Sequence, residues 1–346
     1  MFFRCICTAI AIASLIVLRA AAIAVPTPDI DKLVDASNLI VLGDLVTVER
    51  GDNRTIEANG APLQVRADHG VVRVNDLIRG TARSPVRFEI LVPSKETGWQ
   101  VPVQQNYGLF FLRTGDSEEA FLTDKYYSYI PVPRGINARG DTPLERVISI
   151  LAEMLLIPNN RSLNNQALSY LQESKSKAAI NALRGTLDAA TDPELRIKIA
   201  NALVLQGDTS SLKFIKQLFL ADPRITVSDR QQEVLSNVMA VHLKDPAAIP
   251  DLEELLGAPS VYIRRGAAGA LRRMESPRAL NGLRQALADP DSDVRYSGVL
   301  GLAGITDGDT KMVPHVDEFK ADESKYLTYW RERPAKRLQT SPRNQE

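Results

Sequence analysis

Three histidines, His69, His242 and His315, are the only imidazoles in the sequence. A metal or general-base site needs a histidine beside another ligand at suitable spacing. None of the three has a second histidine or a paired carboxylate so placed, and nothing matches a His-Glu-x-x-His helix. The residues therefore predict no metal site, no cofactor and no catalytic residue. In "SGVLGLAG", Gly298, Gly301 and Gly304 stand three apart, which sets them along one side of a helix. A phosphate loop would continue into Lys. None follows, so these glycines read as packing positions. Acidic residues are plentiful, but no pair stands out as acid and base.

Arginine is the residue whose placement carries information. Arg196, Arg230, Arg264 and Arg295 recur at intervals of 34, 34 and 31 residues, each at the start of a helical stretch. They could form an anion-binding ladder. The favoured alternative pairs each with a carboxylate of a neighbouring turn, such as Asp192, Asp222 or Asp289, because every repeat needs a register device and only some need a ligand. In the helix that follows Pro259, the expected core stripe is Ile263, Ala267, Ala270, Leu271 and Met274. Arg265 and Arg272 fall off that stripe on one common side. Tyr296 stands where Arg265 does, 31 residues on. Arg and Tyr are enriched at binding hot spots, so Arg265, Arg272 and Tyr296 are the candidate contacts for another protein. The competing reading leaves both arginines solvated and Tyr296 half-packed.

The elements that must position these residues come from a repeat. At an offset of 31, Leu252 meets Leu283, Leu256 meets Leu287, Pro259 meets Pro290, Leu271 meets Leu302 and Met274 meets Ile305. "GDTSSL", "KDPAAI" and "ESPRAL" interleave as second turns. Each offers an Asp or Ser N-cap, and two place Pro at the first helical position. The unit is therefore helix, Pro-containing turn, helix, turn. A period of 31 to 34 residues with two helices reads as a solenoid repeat from Thr142 to about 333. "TPLERVISILAEMLLIP" with "NNQALSYLQE" would be an atypical first pair, and "MVPHVDEFK" with "ESKYLTYWRER" a closing one.

Upstream the grammar differs. "NLIVLGDLVTVE", "GVVRVNDLIRG", "VRFEILVP", "YGLFFLR" and "YYSYIPV" are short runs rich in β-branched and aromatic residues, separated by Gly, Pro, Asn and Asp. They predict five strands after a short helix at Asp29 to Asp35, forming a small barrel or sandwich over residues 25–133. "RGINARGD", residues 134–141, reads as a linker. The Pro-broken end from 334 to 346 reads as a disordered tail.

Residues 1–24 have Arg4, an apolar run from Cys5 to Leu18 and small residues ending at Ala24, the layout of a secretory leader cleaved before Val25. Arg19 ends that run short of the ~20 residues a membrane span needs. Both cysteines, Cys5 and Cys7, lie in the leader, which leaves no thiol for disulfides, nucleophilic catalysis or metal binding. The 42 basic residues balance 42 acidic ones, so composition gives no case for nucleic acid.

Leu287 to Ile305, "LADPDSDVRYSGVLGLAGI", and Leu255 to Met274 resemble HEAT repeats of the short bacterial kind also seen in phycobilisome lyases. In those repeats an Asp-Pro turn precedes a Val-Arg pair that opens an Ala-rich second helix. Ala258 takes the place of the Asp in the earlier unit. The resemblance implies a right-handed α-solenoid. Asn38 to Gly43, Val72 to Gly80 and Tyr107 to Leu112 resemble the OB-type barrel of netrin-like modules, which include metalloprotease inhibitors. Those modules carry an N-terminal Cys and a disulfide framework, both absent here, so the inhibitory mechanism does not carry over. The expected fold is a small N-terminal β-barrel or sandwich followed by an α-solenoid of HEAT-like helix pairs. The expected role is an exported, periplasmic or extracellular, non-enzymatic scaffold that binds another protein. The alternatives are a regulator or inhibitor of an envelope hydrolase acting through the β-domain, and a lyase-type enzyme.

Overall fold

The structure is a computed structural model that describes residues 29–58, 61–93, 106–115, 119–124, 127–221, 227–306 and 308–333. The leader at 1–24, with Cys5 and Cys7, and the tail at 334–346 lie outside the described residues. The chain enters through helix α1 (Ile30–Ala36), whose N-cap Asp29 accepts a hydrogen bond from Asp31 N at 3.1 Å. A sheet of seven strands follows: β1 (Leu39–Glu49), β2 (Asn53–Ala58), β3 (Ala61–Arg79), β4 (Val86–Pro93), β5 (Tyr107–Arg113), β6 (Ala120–Leu122) and β7 (Tyr129–Pro131). Strand β1 pairs antiparallel with both β3 and β5, β3 with β4, β4 parallel with β6, and β6 with β5. The pairings thus run β1–β3–β4–β6–β5 and return to β1. Strand β2 hangs on β3 and β7 on β5.

Two strands exceed the five expected from sequence. Strand β2 and the first half of β3 form a hairpin, and on β2 the side chains from Asn53 to Glu57 are all exposed or half-exposed. Strand β2 buries no face, so it gives no alternation to read. Strand β6 spans three residues, too few for any period.

Strand β1 is buried on both faces, and the reason is packing on either side. Leu39, Val41 and Leu45 join Phe88, Phe110 and Leu112 in one apolar cluster. Ile40 and Leu42 join Leu109, Phe111 and Ile130 in another, and this second cluster continues without a break into Val147, Ile148 and Leu151 of the helices. A strand covered on both faces reads as a continuous apolar run rather than an alternation, which is how "LIVL" reads. Polar bonds reinforce the seam. Arg146 clasps the Asp76 carboxylate at 2.6 and 2.8 Å and donates to Leu77 O at 2.8 Å. Ser174 Oγ donates to Asp31 at 2.7 Å. Residues 134–141, expected as a linker, are anchored at three points: Arg134 pairs with Asp44, Ile136 is buried, and Arg139 reaches Glu153 at 2.9 Å.

The helices come as six successive pairs: α2 (Pro143–Leu155) with α3 (Arg161–Glu173), α4 (Lys177–Ala189) with α5 (Pro193–Leu205), α6 (Leu212–Lys216) with α7 (Asp229–His242), α8 (Ile249–Leu255) with α9 (Val261–Arg273), α10 (Leu280–Ala286) with α11 (Ser292–Ile305), and α12 (Val316–Ala321) with α13 (Glu323–Arg331). Local chemistry starts them where the sequence indicates. Thr142 and Glu145 form a capping box with Pro143 at the first turn of α2. Asp245 and Ser276 each cap a Pro-led 3-10 turn that runs into α8 and α10. Second helices pack in order, α3 on α5, α5 on α7, α7 on α9, α9 on α11 and α11 on α13. One pair cannot bury its apolar stripe, whereas a stack makes one continuous core.

The repeat register is the expected one. Leu252, Leu283, Leu256, Leu287, Leu271, Leu302 and Ile305 are all buried, and Met274 packs half-buried against them. Ile263, Ala267 and Ala270 are fully buried on the same stripe. Two of the three glycines in α11 are packing positions: a Cβ on Gly298 would stand 2.9 Å from Leu283 O, and one on Gly301 would collide with the Leu283 side chain. A Cβ on Gly304 would make only an ordinary contact, 3.9 Å from Glu275 Cγ.

Candidate functional site

The recurrent arginines open the second helices α5, α7, α9 and α11, and the two best-formed repeats use them alike. Arg264 donates from Nε to Asp289 Oδ2 at 2.8 Å, and from Nη1 to Ala258 O and Pro259 O, both at 3.0 Å. Arg295 donates from Nε to Glu323 Oε2 at 2.7 Å, and from Nη1 to Asp289 O at 2.7 Å and Pro290 O at 2.8 Å. Each guanidinium closes the turn of its own repeat and grips a carboxylate of the next. That is a register device. Arg196 lies 4.2 Å from the Phe214 ring centroid and donates to Leu187 O at 3.3 Å. Arg230 is exposed and has no ion pair among the described residues. Of the expected carboxylate partners, Asp289 serves, Asp192 instead caps α5, and Asp222 lies outside the described residues.

Arg265, Arg272 and Tyr296 do not form one open patch. Arg265 clasps Asp291 from Nε at 2.9 Å and Nη2 at 2.7 Å, with Asp293 at 3.1 Å. Asp291 in turn caps α11, accepting from Asp293 N and Val294 N at 3.1 Å each. The Arg265 guanidinium, helped by those backbone N–H groups, holds the Asp291 carboxyl below the usual carboxylate range against the opposing effect of burial. Tyr296 is likewise engaged: its hydroxyl donates to Pro314 O at 3.1 Å and its ring stands 5.2 Å from that of Phe319. Arg272 alone keeps its guanidinium without a hydrogen bond or ion pair among the described residues.

Beside Arg272 the sequence reading missed several residues. Arg272, Arg273, Glu275, Leu300 and Gly304 line an open cleft of about 370 Å³ where α9 and α11 end. Gly301 brings those ends together, because a Cβ there would stand 3.2 Å from Arg272 Cα. Arg273 is exposed and has no ion pair among the described residues either. On the neighbouring α7, Val234 and Val241 are exposed and stand seven residues apart on one face. The adjacent pair Arg272-Arg273 in a last helical turn was a signal available in the sequence.

Two other polar places are closed. Buried Asp44 on β1 meets Arg73 at 2.9 Å and Arg134, whose guanidinium lies 5.1 Å from the Tyr107 ring centroid. Arg134 first, then Arg73, keep the Asp44 carboxyl ionised below its ordinary range although burial opposes it. A cleft of about 440 Å³ between the α2–α3 and α4–α5 turns includes Asn164, which donates to Leu155 O at 2.7 Å, and Arg161, which pairs with Glu194 at 3.2 Å. The histidines are scattered: His69 Nδ1 lies 2.8 Å from Glu119 Oε1, His242 ends α7 and His315 precedes α12. Among the described residues no three His, Cys, Asp or Glu side chains gather where they could hold a metal ion. No described helix is long and apolar enough to cross a membrane.

A family model described as HEAT repeats matches residues 228–303, the span from α7 into α11. Over that span the helices are HEAT-like repeats. No curated protein matches the chain. Among solved structures, the crystal structure of an engineered protein is similar at 18% identity and a TM-score of 0.30, over 55% of this chain and 87% of that one.

Proposed function

We propose that this is an exported, non-enzymatic scaffold that binds another protein on the outward face of its second helices. HEAT repeats point to protein interaction as the general role, and the match at 228–303 supports it. The observation that carries the finer reading is the row of second helices from α3 to α13. It is long and continuous, and its end at α9–α11 leaves Arg272 and Arg273 without an ion pair among the described residues, beside Leu300. On this reading the six pairs form a right-handed solenoid. The three-part leader supports export, with Val25 as the first residue, which intact-mass measurement of the exported protein checks.

A second reading rests on the sheet. The ring of pairings β1–β3–β4–β6–β5–β1, with its one parallel step, favours a closed barrel of the OB type, as in netrin-like modules. Such a module could regulate an envelope hydrolase. Its face bearing Ile40, Leu42 and Phe111 is already covered by the helices, so a partner would have to use its remaining surface. Crosslinking mass spectrometry in the native host separates the two. Crosslinks from a partner to second-helix residues support the scaffold, whereas crosslinks confined to residues 25–133 transfer the function to the sheet. A lyase-type enzyme would instead show a bound chromophore in the absorption spectrum of the purified protein.

A further inference from the structure

Several cations on the second helices have a carboxylate at hand. Arg264 has Asp289, Arg265 has Asp291, Arg295 has Glu323 and Lys198 has Glu194 at 3.0 Å. These arginines all sit at helix entries, facing turns that carry Asp289, Asp291, Asp293 and Glu323. At the exit of α9 the situation reverses. Arg272 and Arg273 line the cleft with Leu300 and Gly304, and Glu275 is the only carboxylate among the lining residues. Two guanidinium groups face one carboxylate, over a floor made of an aliphatic side chain and a glycine. Leu300, half-buried in α11, is the aliphatic side chain among these lining residues.

We infer that this exit cleft docks an acidic segment of the partner protein, one that sets an apolar side chain beside its carboxylates. The inference rests on the scaffold reading and supplies the partner's chemistry. Guanidinium groups pair bidentately with carboxylates and keep their charge at any working pH, and Arg clusters are a recurrent means of recognising acidic motifs. Leu300 gives the apolar side chain a place to leave water. A basic segment would meet two like charges, which penalises the wrong partner. The same charges make the association weaken as salt rises.

The test measures fluorescence anisotropy of short synthetic peptides on the full exported protein: one alternating Glu and Leu, one Lys and Leu, and one Glu and Ser. The Glu/Leu peptide is expected to bind tightest. Arg272→Glu with Arg273→Glu should weaken it by about tenfold or more, the scale of about 1.4 kcal/mol, with the melting temperature kept. Arg230→Glu, at the far end of α7, should leave it unchanged. If the double reversal fails to fold, Arg272→Gln with Arg273→Gln carries the same arm. Equal binding of the Lys/Leu peptide, no binding of the Glu/Leu peptide, or an unaffected affinity in the double variant overturns the inference. Equal binding of the Glu/Ser peptide overturns its apolar part. The scaffold reading is judged separately by the host crosslinks: a partner crosslinked to other second helices while the peptides fail leaves the scaffold standing without this cleft.

Discussion

The entry and the exit of helix α9 carry the same residue type to opposite ends. At the entry, Arg264 and Arg265 are held by Asp289 and Asp291 from the next repeat. At the exit, Arg272 and Arg273 have no such partner among the described residues. All four lie within one 13-residue helix, so neither propensity nor composition distinguishes them. What differs is the neighbouring turn. The entry faces an acidic turn whose carboxylates also cap α11. The exit faces Gly301, which brings the backbone close, and Gly304, and neither offers a charge. A guanidinium fixes register where the adjacent repeat supplies an anion, and is left for a partner where it does not.

The comparison presumes that successive repeats are equivalent inside, and the largest expected effect tests that. Leu271→Ala and Leu302→Ala should each cost about 2–5 kcal/mol, since both side chains are fully buried at the same repeat position. Urea denaturation followed by circular dichroism checks it, and a cost near zero at either would break the register on which the comparison rests. Next, Arg264→Ala should cost about 1–3 kcal/mol, because it strips Asp289, whose side chain is only 6% exposed, and two turn carbonyls of their donor.

A smaller effect is a pH dependence. The Asp291 carboxyl is held low in the folded protein, chiefly by Arg265. As pH falls below about 3.9, the ordinary Asp value, the unfolded chain takes up this proton before the folded one. The stabilisation from Asp291 is thus complete above that pH and is lost as pH drops through the lowered folded value. Arg265→Gln should flatten this part of the acid limb in melting temperature against pH, and an unchanged limb would show that Arg265 is no more engaged than Arg273. The smallest effect is at the exit: Arg273→Ala should stay within the roughly 0.5 kcal/mol usual for surface positions. A larger loss would mean that the exit, too, has a structural role.

Much of the helical half was legible. Its caps lie beside the residues they cap, as Thr142 does before α2 and Asp291 before α11, and its core recurs at one offset through Leu271 and Leu302. The strands at Val86–Pro93 and Tyr107–Arg113 stand where their apolar runs place them. The hairpin of β2 escaped because its side chains bury no face. The candidate site was legible only in Arg272. Arg265 and Tyr296 looked free because their partners, Asp291 and Pro314, stand 26 and 18 residues away. The alternating carboxylates of "DPDSD" were a visible cue to the first of these, and nothing marked the second.

The sequence by itself determined the period of the helix pairs, the turns that start them and the stripe they bury. These follow from contacts within a few residues and from repetition of one apolar pattern. Only the tertiary structure decided that the strand face of Ile40 and Leu42 is covered by α2, and which arginines retain a free guanidinium. Both depend on what an adjoining element places opposite, Val147 and Leu151 in one case and Asp289 or Gly301 in the other. A charge or an apolar face is engaged or available according to the surface it meets, and that surface comes from another part of the chain.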